Sequence, residues 1–130
     1  MRRVVIDTNV LVSALLSPNS NPAKVLALVM NGKITACYDS RMMLEYESVL
    51  LRKKFPFESQ DVRALLNMIQ QTGMIVIPEP TNIEFTDEED RKFYEVAKTA
   101  DAYLVTGNIK HFPEETWITL PAIFLKFNIV

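Results

Sequence analysis

Short apolar runs alternate with helical stretches along the whole chain, and this alternation is the feature that most limits the possible folds. It favours βαβ units built around a parallel sheet. The predicted strands lie at about residues 3–7, 33–38, 74–77, 102–106 and 117–120. The predicted helices lie at about 9–16, 22–31, 41–54, 59–71 and 88–99, and an apolar tail follows. We therefore predict a three-layer α/β sandwich with five short strands.

Several residues carry signals for where the helices begin and end. Ser40, Ser59 and Asp87 stand where their side chains can cap the helices that follow them. Pro22 suits the first position of a helix, and Gly73 suits the residue just after one.

Length and composition exclude several classes of protein. A chain of 130 residues predicts a single domain spanning residues 1–130. No stretch approaches the roughly 20 apolar residues of a membrane span, so we expect no membrane partner. The single cysteine, Cys37, cannot form an internal disulfide, which fits a cytoplasmic protein. The single histidine, His111, excludes a zinc site with several His or Cys ligands and leaves carboxylate sites for hard cations.

The segment VVIDTN at residues 4–9 is the first candidate functional feature. A buried strand ends at Asp7 and is followed by Thr8 and Asn9. Ligands in open α/β sheets bind beyond the carboxyl ends of the strands, so Asp7 is a candidate metal or phosphate ligand. The alternative is that Asp7 or Thr8 only caps the next helix, and this segment alone does not decide between the two.

Acidic residues on two predicted helices are further candidates. On the helix at 41–54, Glu45 and Glu47 flank the apolar stripe on opposite sides, and periodicity cannot choose between them. On the helix at 88–99, Asp90 borders the buried face. The same periodicity predicts that Arg91, Lys92 and Glu95 point away from the core.

The segment DAYLVTGN at residues 101–108 places polar residues after another buried strand. Thr106 and Asn108 lie at the same sheet end as Asp7 if the two strands are parallel. Asn108 is either a neutral oxygen ligand or a turn residue. We interpret Asp101 as a loop or cap residue at the opposite end of the sheet, and His111 as a turn residue rather than a base.

Taken together, these residues make the chain resemble the PIN-domain family, particularly its branch of toxins from toxin–antitoxin operons. Any one matching block is weak, but four in the right order make a specific signal. The blocks are VVIDTNVLVSALL (4–16), SRMMLEYESVLLRKKF (40–55), TDEEDRKFYEVA (86–97) and ADAYLVTGNIKHF (100–112).

The resemblance implies a five-stranded parallel sheet of order 3-2-1-4-5 and a Mg²⁺- or Mn²⁺-dependent endoribonuclease. By motif, Asp7, Glu45 and Asp90 match three catalytic, metal-binding acids of the family. The fourth family acid commonly stands at the position of Asn108 or a few residues later, where this chain has no carboxylate. Asn108 is therefore a weaker metal ligand, and its lost charge puts a second metal ion in doubt.

The remaining candidates would support the acids or bind the substrate. Thr8, Asn9 and Thr106 are expected to hold the site by hydrogen bonds, and Thr106 could instead contact a phosphate. Candidate phosphate contacts are Arg52, Lys53, Lys54 and Lys110, although the favoured interpretation of Arg52–Lys54 is solvated surface.

The expected partners are RNA, a cognate antitoxin and a second copy of the chain. The apolar tail PAIFLKFNIV and the methionine-bearing helix could form the dimer seam or lie in the core. The main alternative function is a catalytically weak or inactive PIN-like RNA-binding or interaction module. A haloacid-dehalogenase-type phosphoryl-transfer enzyme is disfavoured, because Asn9 stands where that family needs a second Asp.

Overall fold

The chain forms a parallel sheet flanked by helices, in a computed structural model that describes residues 2–128. Within these residues the sheet has five strands in the order β3-β2-β1-β4-β5. The strands are β1 (Arg2–Ile6), β2 (Ile34–Tyr38), β3 (Met74–Ile75), β4 (Tyr103–Val105) and β5 (Ile118–Thr119). All pairings between them are parallel, so the predicted architecture and strand order are confirmed.

Helices connect the strands and cover the sheet. They are α1 (Thr8–Leu16), α2 (Asn21–Met30), α3 (Ser40–Leu50), α4 (Ser59–Thr72), α5 (Arg91–Ala100) and α6 (Pro121–Asn128). Helix α5 packs on the central strands β1, β2 and β4, α3 packs on α4 and α5, and α2 packs on α1 and α6. No helix within the described residues is long and apolar enough to cross a membrane.

Strand β1 lies at the centre of the sheet and is buried on both faces, as expected for a parallel strand between helical layers. Val4 and Val5 are fully buried and Ile6 is nearly so. Ile6 pairs with Val105 of β4, and the Asp7 amide donates to the Val105 carbonyl at 3.0 Å. The residues that follow β1 and β4 therefore lie side by side at one edge of the sheet.

Several elements are shorter than predicted, most clearly β3 and α3. Strand β3 ends at Ile75 rather than at residue 77, and Pro78 lacks the amide needed to extend the ladder. Helix α3 ends at Leu50 rather than at residue 54. Residues 52–54 therefore lie in a turn beyond the helix, not at its last turn.

The predicted caps are only partly right. Asp87 does cap, since its carboxylate accepts from the Glu89 amide at 3.0 Å at the start of a 3-10 turn, Glu88–Asp90, that leads into α5. Helix α3 is capped by the Asp39 carboxylate rather than by Ser40. Ser59 is not a cap, because α4 starts after Glu58. Asp101 is confirmed as a cap residue in the left-handed conformation, at φ 53°.

Both candidate dimer segments contribute to the core and also expose apolar side chains. Met42 of α3 and Phe124 of α6 are fully buried. Leu44 of α3 and Phe127 of α6 are largely exposed. The homodimer therefore stays a prediction.

Candidate active site

Asp7 directly follows β1 and lies at the N-cap position of α1, yet its carboxylate makes no capping hydrogen bond. Instead the Thr106 hydroxyl donates to Asp7 Oδ2 at 2.7 Å. Only 7 % of Asp7 is exposed. A buried carboxylate that is not used to cap its helix needs another explanation, so the simple capping alternative does not account for this residue.

The electrostatic surroundings of Asp7 disfavour its ionised form. Burial and, to a lesser extent, the charges of Asp90 and Glu45 raise the pKa of Asp7 to about 6, although the Thr106 hydrogen bond opposes them. Such a carboxylate gains from any cation that restores its charge, because burial penalises an uncompensated charge.

Glu45 lies on α3, where its side chain is 22 % exposed, whereas Glu47 is exposed. The neighbouring Tyr46 is buried, and its hydroxyl donates to the Ile6 carbonyl, which fixes α3 against the end of β1. The Thr8 hydroxyl donates to Glu45 Oε2. The structure therefore brings Glu45, and not Glu47, to the end of β1.

Asp90 ends the 3-10 turn that precedes α5, and its side chain is 17 % exposed. Burial and the charge of Asp87 raise the pKa of Asp90, and the charge of His111 acts in the opposite direction. The His111 Nδ1 atom lies 3.7 Å from Asp90 Oδ2. His111 is thus a neighbour of one candidate acid.

A single open pocket of about 480 Å³ contains all three acids predicted from the sequence, Asp7, Glu45 and Asp90. Its other lining residues are Thr8, Asn9, Val12, Ser13, Val49, Arg52, Phe55, Asp87 and Glu89. We call this cavity the acid pocket.

The acids line the acid pocket without closing around one point. Among residues 2–128 no three acidic, His or Cys side chains are grouped closely enough to form a ready-made metal shell. The available donors are carboxylate oxygens, which suit hard divalent cations. Mg²⁺ usually keeps several waters and needs only one or two carboxylates, so the donor set fits such an ion.

Backbone amides and small polar side chains join the loops that follow β1 and β4. The Asn108 amide donates to the Thr106 hydroxyl at 3.0 Å, and the Gly107 amide donates to Asn9 Oδ1 at 3.4 Å. The side chains of Thr106 and Asn9 thus tie the two loops together beside Asp7. Asn108 lines a neighbouring cavity of about 380 Å³, which also contains Asn9.

The four predicted phosphate contacts are not brought together. Arg52 lines the acid pocket, whereas Lys53 and Lys54 are exposed on the turn after α3 and are not among its lining residues. Lys110 lines a different cavity of about 300 Å³, together with Phe112.

The prediction that Arg91, Lys92 and Glu95 point away from the core is wrong. The side chains of Lys92 and Glu95 are 7 % and 5 % exposed, and that of Arg91 is 20 % exposed. Arg91 donates to the Thr81 carbonyl at 2.8 Å and so holds the preceding loop against α5.

Lys92 and Glu95 are buried because each has partners on other segments. Lys92 Nζ lies 2.7 Å from Glu45 Oε1 and 2.7 Å from Glu89 Oε2. Glu95 pairs with Arg41 at 3.1 Å and accepts from the Thr81 amide at 2.8 Å. Periodicity treats a charged side chain as solvated, and no signal in the local sequence identifies these distant partners.

Comparison with models of protein families identifies the family of this chain. The family model for the PIN domain matches residues 3–110. An uncharacterized protein of Methanocaldococcus jannaschii is 34 % identical over 131 residues, covering 95 % of this chain and 84 % of that protein.

Among solved structures, the fold is similar to a chain in the crystal structure of VapBC2 from Rickettsia felis bound to a DNA fragment from their promoter. The TM-score is 0.56 at 17 % identity, and the match covers 83 % of this chain and 89 % of that chain. At this identity the likeness concerns the fold.

Proposed function

The chain belongs to the PIN-domain family, and we propose that it is a metal-dependent ribonuclease acting as the toxin of a toxin–antitoxin pair. PIN domains are generally nucleases. The observation that carries the proposal is that Asp7, Glu45 and Asp90, from three distant segments, line one open pocket. Because these residues are far apart in the sequence, only the tertiary fold brings their side chains to one pocket.

In this proposal Asp7, Glu45 and Asp90 hold Mg²⁺ or Mn²⁺ and are the catalytic residues. A divalent cation held there would lower the pKa of a bound water and neutralise the charge that develops on the phosphate. The acids alone repel one another, because the charges of Asp90 and Glu45 both disfavour ionisation of Asp7. The raised pKa of Asp7 is consistent with that repulsion added to burial.

Other residues of the chain hold the acids in place. The Thr106 hydroxyl orients the Asp7 carboxylate, and Thr8 with Lys92 holds Glu45 from both sides. Lys92 also supplies positive charge inside an acidic site, so it partly offsets the repulsion before a cation binds. Asn9 is placed to keep the two loops in register.

The deciding experiment is a Mn²⁺ titration followed in parallel by metal binding and by RNA cleavage, with wild type, Asp7→Asn and Glu45→Gln. We expect both variants to lose cleavage and to bind Mn²⁺ more weakly. Glu47→Gln is the matched control, because Glu47 lies on the same helix but is exposed and outside the acid pocket. Cleavage by Asp7→Asn at the wild-type rate, in preparations free of contaminating nuclease, would refute the proposal.

A second candidate function is a PIN-like module that binds RNA or a protein with little turnover. Two observations favour it: a neutral Asn108 stands where the family commonly has an acid, and Lys92 occupies one oxygen of Glu45. If this candidate is correct, wild type binds RNA but cleaves it no faster than Asp7→Asn. Asn108→Asp should then raise cleavage, because it restores a carboxylate beside the acid pocket.

The proposal also includes two protein partners, an antitoxin and a second copy of the chain. A cytoplasmic toxin would be silenced by an antitoxin protein and would act as a homodimer. Ile123 and Phe127 on α6 are 46 % and 67 % exposed, and a second copy could cover them. Sedimentation velocity of wild type against Phe127→Ser tests the dimer, which the substitution should weaken if α6 forms the seam.

A further inference from the structure

We propose that the turn between α3 and α4 is a clamp for single-stranded RNA, in which Arg52 binds a phosphate and Phe55 stacks on an unpaired base. The inference rests on the proposed function, because it assumes that the polymer entering the acid pocket is RNA. It specifies that the bound RNA is single-stranded, and it names the residues that contact the strand.

Both residues stand directly at the acid pocket. Arg52 and Phe55 line it together with Asp7, Glu45 and Asp90, whereas the intervening lysines do not. The turn is closed by a hydrogen bond from the Phe55 amide to the Arg52 carbonyl at 3.0 Å. An aromatic ring and a guanidinium are therefore presented on one side of a short, closed turn.

The ring of Phe55 is partly exposed and has a firm support behind it. It stacks on Phe57 with ring centres 5.4 Å apart and planes 16° apart, and Phe57 packs against the core. A supported aromatic ring beside a phosphate site is the arrangement by which proteins stack unpaired bases. Lys54 Nζ lies over the same ring, 5.1 Å from its centre, so a stacking base would displace this exposed side chain and keep its positive charge nearby.

Arg52 is placed to bind an anion rather than to balance a neighbouring acid. It is exposed, and within residues 2–128 no carboxylate lies within ion-pair distance of it. By contrast, Arg41 and Arg91 nearby are already paired with Glu95 and Glu88. An unpaired guanidinium at the edge of the pocket can bind a phosphate through two parallel hydrogen bonds.

Arg52 also stands where two cavities meet. A second cavity of about 710 Å³ shares Glu45, Val49, Arg52 and Glu89 with the acid pocket and is lined in addition by Arg41, Ser48 and Arg91. On the other side the acid pocket shares Asn9 and Ser13 with the cavity that contains Asn21 and Asn108. We call these three adjoining cavities the trough. One end carries arginines together with Glu88 and Glu89, the middle is acidic, and the other end is lined by asparagines and apolar side chains.

This arrangement favours a single strand over a duplex. In a duplex the base faces are stacked on one another, so Phe55 would have no free face to contact. In a single strand lying along the trough, one phosphate can reach Arg52 while the adjacent base covers Phe55 and the next phosphate lies at the acids.

The test is fluorescence anisotropy with labelled 12-nucleotide RNAs and EDTA, all in the Asp7→Asn background, so that binding is measured without cleavage. The probes are a mixed single strand, the same strand with abasic sites, and its duplex. Phe55→Ala should weaken binding of the single strand about 5- to 100-fold, with much smaller effects on the abasic strand and the duplex. Phe55→Trp should retain binding, and Ile77→Ala, a change at an exposed apolar residue outside the trough, should change nothing.

For Arg52 the informative quantity is the salt dependence. Arg52→Gln should weaken binding and reduce the slope of log K against log salt by about 0.7, the value for one phosphate contact on a single strand. Lys53→Gln, the adjacent exposed cation outside the acid pocket, is the matched control and should leave the slope almost unchanged.

Thermal melting of each variant shows whether it is folded. If folded Phe55→Ala and Arg52→Gln bind the single strand as tightly as the Asp7→Asn parent, the inference is wrong. Equal losses on single strand, abasic strand and duplex would also overturn it, because they would show general charge attraction without stacking. Since these assays need no turnover, failure of the clamp is distinguishable from failure of the nuclease proposal.

Discussion

Replacing Asp7 with Asn should stabilise the metal-free protein, and by an amount that grows with pH. Burial raises the pKa of Asp7 from 3.8 to about 6. Below pH 3.8 the Asp7 carboxyl is protonated in both the folded and the unfolded chain, so its contribution to the free energy of unfolding is fully retained. As pH rises towards 6, the unfolded chain ionises first and this contribution is lost.

The size of the effect follows from the shift in pKa. The change from 3.8 to about 6 corresponds to roughly 3 kcal/mol once both states are ionised. At pH 4.5 the same linkage gives only about 1 kcal/mol. We therefore expect the difference in unfolding free energy between Asp7→Asn and wild type to increase by about 2 kcal/mol from pH 4.5 to pH 7.5.

Urea denaturation in EDTA at half-unit steps of pH measures this difference. Any change in the hydrogen bond to Thr106 adds a constant offset, so the increase with pH is the informative quantity. Glu47→Gln, an exposed carboxylate on α3, should give a nearly flat difference and serves as the control. A flat difference for Asp7→Asn as well, or one that decreases with pH, would refute the reasoning.

Substitutions at four further positions test the packing of the fold by urea denaturation. Lys92→Met should lower the unfolding free energy by about 1–3 kcal/mol, because it leaves Glu45 partly buried without its cation, and Lys92→Arg should lose less. Glu95→Gln should also cost about 1–3 kcal/mol, because it weakens charged hydrogen bonds at a buried position. Gly73→Ala should cost more than about 1 kcal/mol, since its Cβ would lie 2.4 Å from a backbone oxygen, whereas Gly107→Ala meets only ordinary contacts and should be tolerated. Equal stability of the two alanine variants would contradict the last prediction.

Much of the fold was accessible from the sequence because its signals are local. The alternation of apolar runs with amphipathic stretches predicted the five strands and the first five helices, with some ends misplaced, whereas α6 was not predicted from the apolar tail. The helix predicted to reach residue 54 stops at Leu50, since the apolar stripe says little about where a helix ends. The strand order came from the family resemblance, because periodicity does not state which strands are neighbours.

The site was only partly accessible for a related reason. Asp7 is a candidate from the sequence because it stands at the end of a strand. The family motif favours Glu45 over Glu47, whereas helix geometry alone does not distinguish between the two. Lys92 and Glu95 were misplaced because their burial depends on partners such as Glu45 and Arg41 on another helix. Whether a charged side chain can be buried depends on the partner that pairs with it. When that partner lies on a distant segment, the local periodicity of the sequence does not reveal the pair.

The hydrogen bond between Thr106 and Asp7 joins residues that are 99 positions apart. During synthesis, Asp7 and Glu45 emerge from the ribosome long before β4, so an unfinished chain has no partner to complete the wall around Asp7. A chain that ends before β4 therefore leaves the Asp7 carboxylate without the Thr106 hydroxyl that orients it.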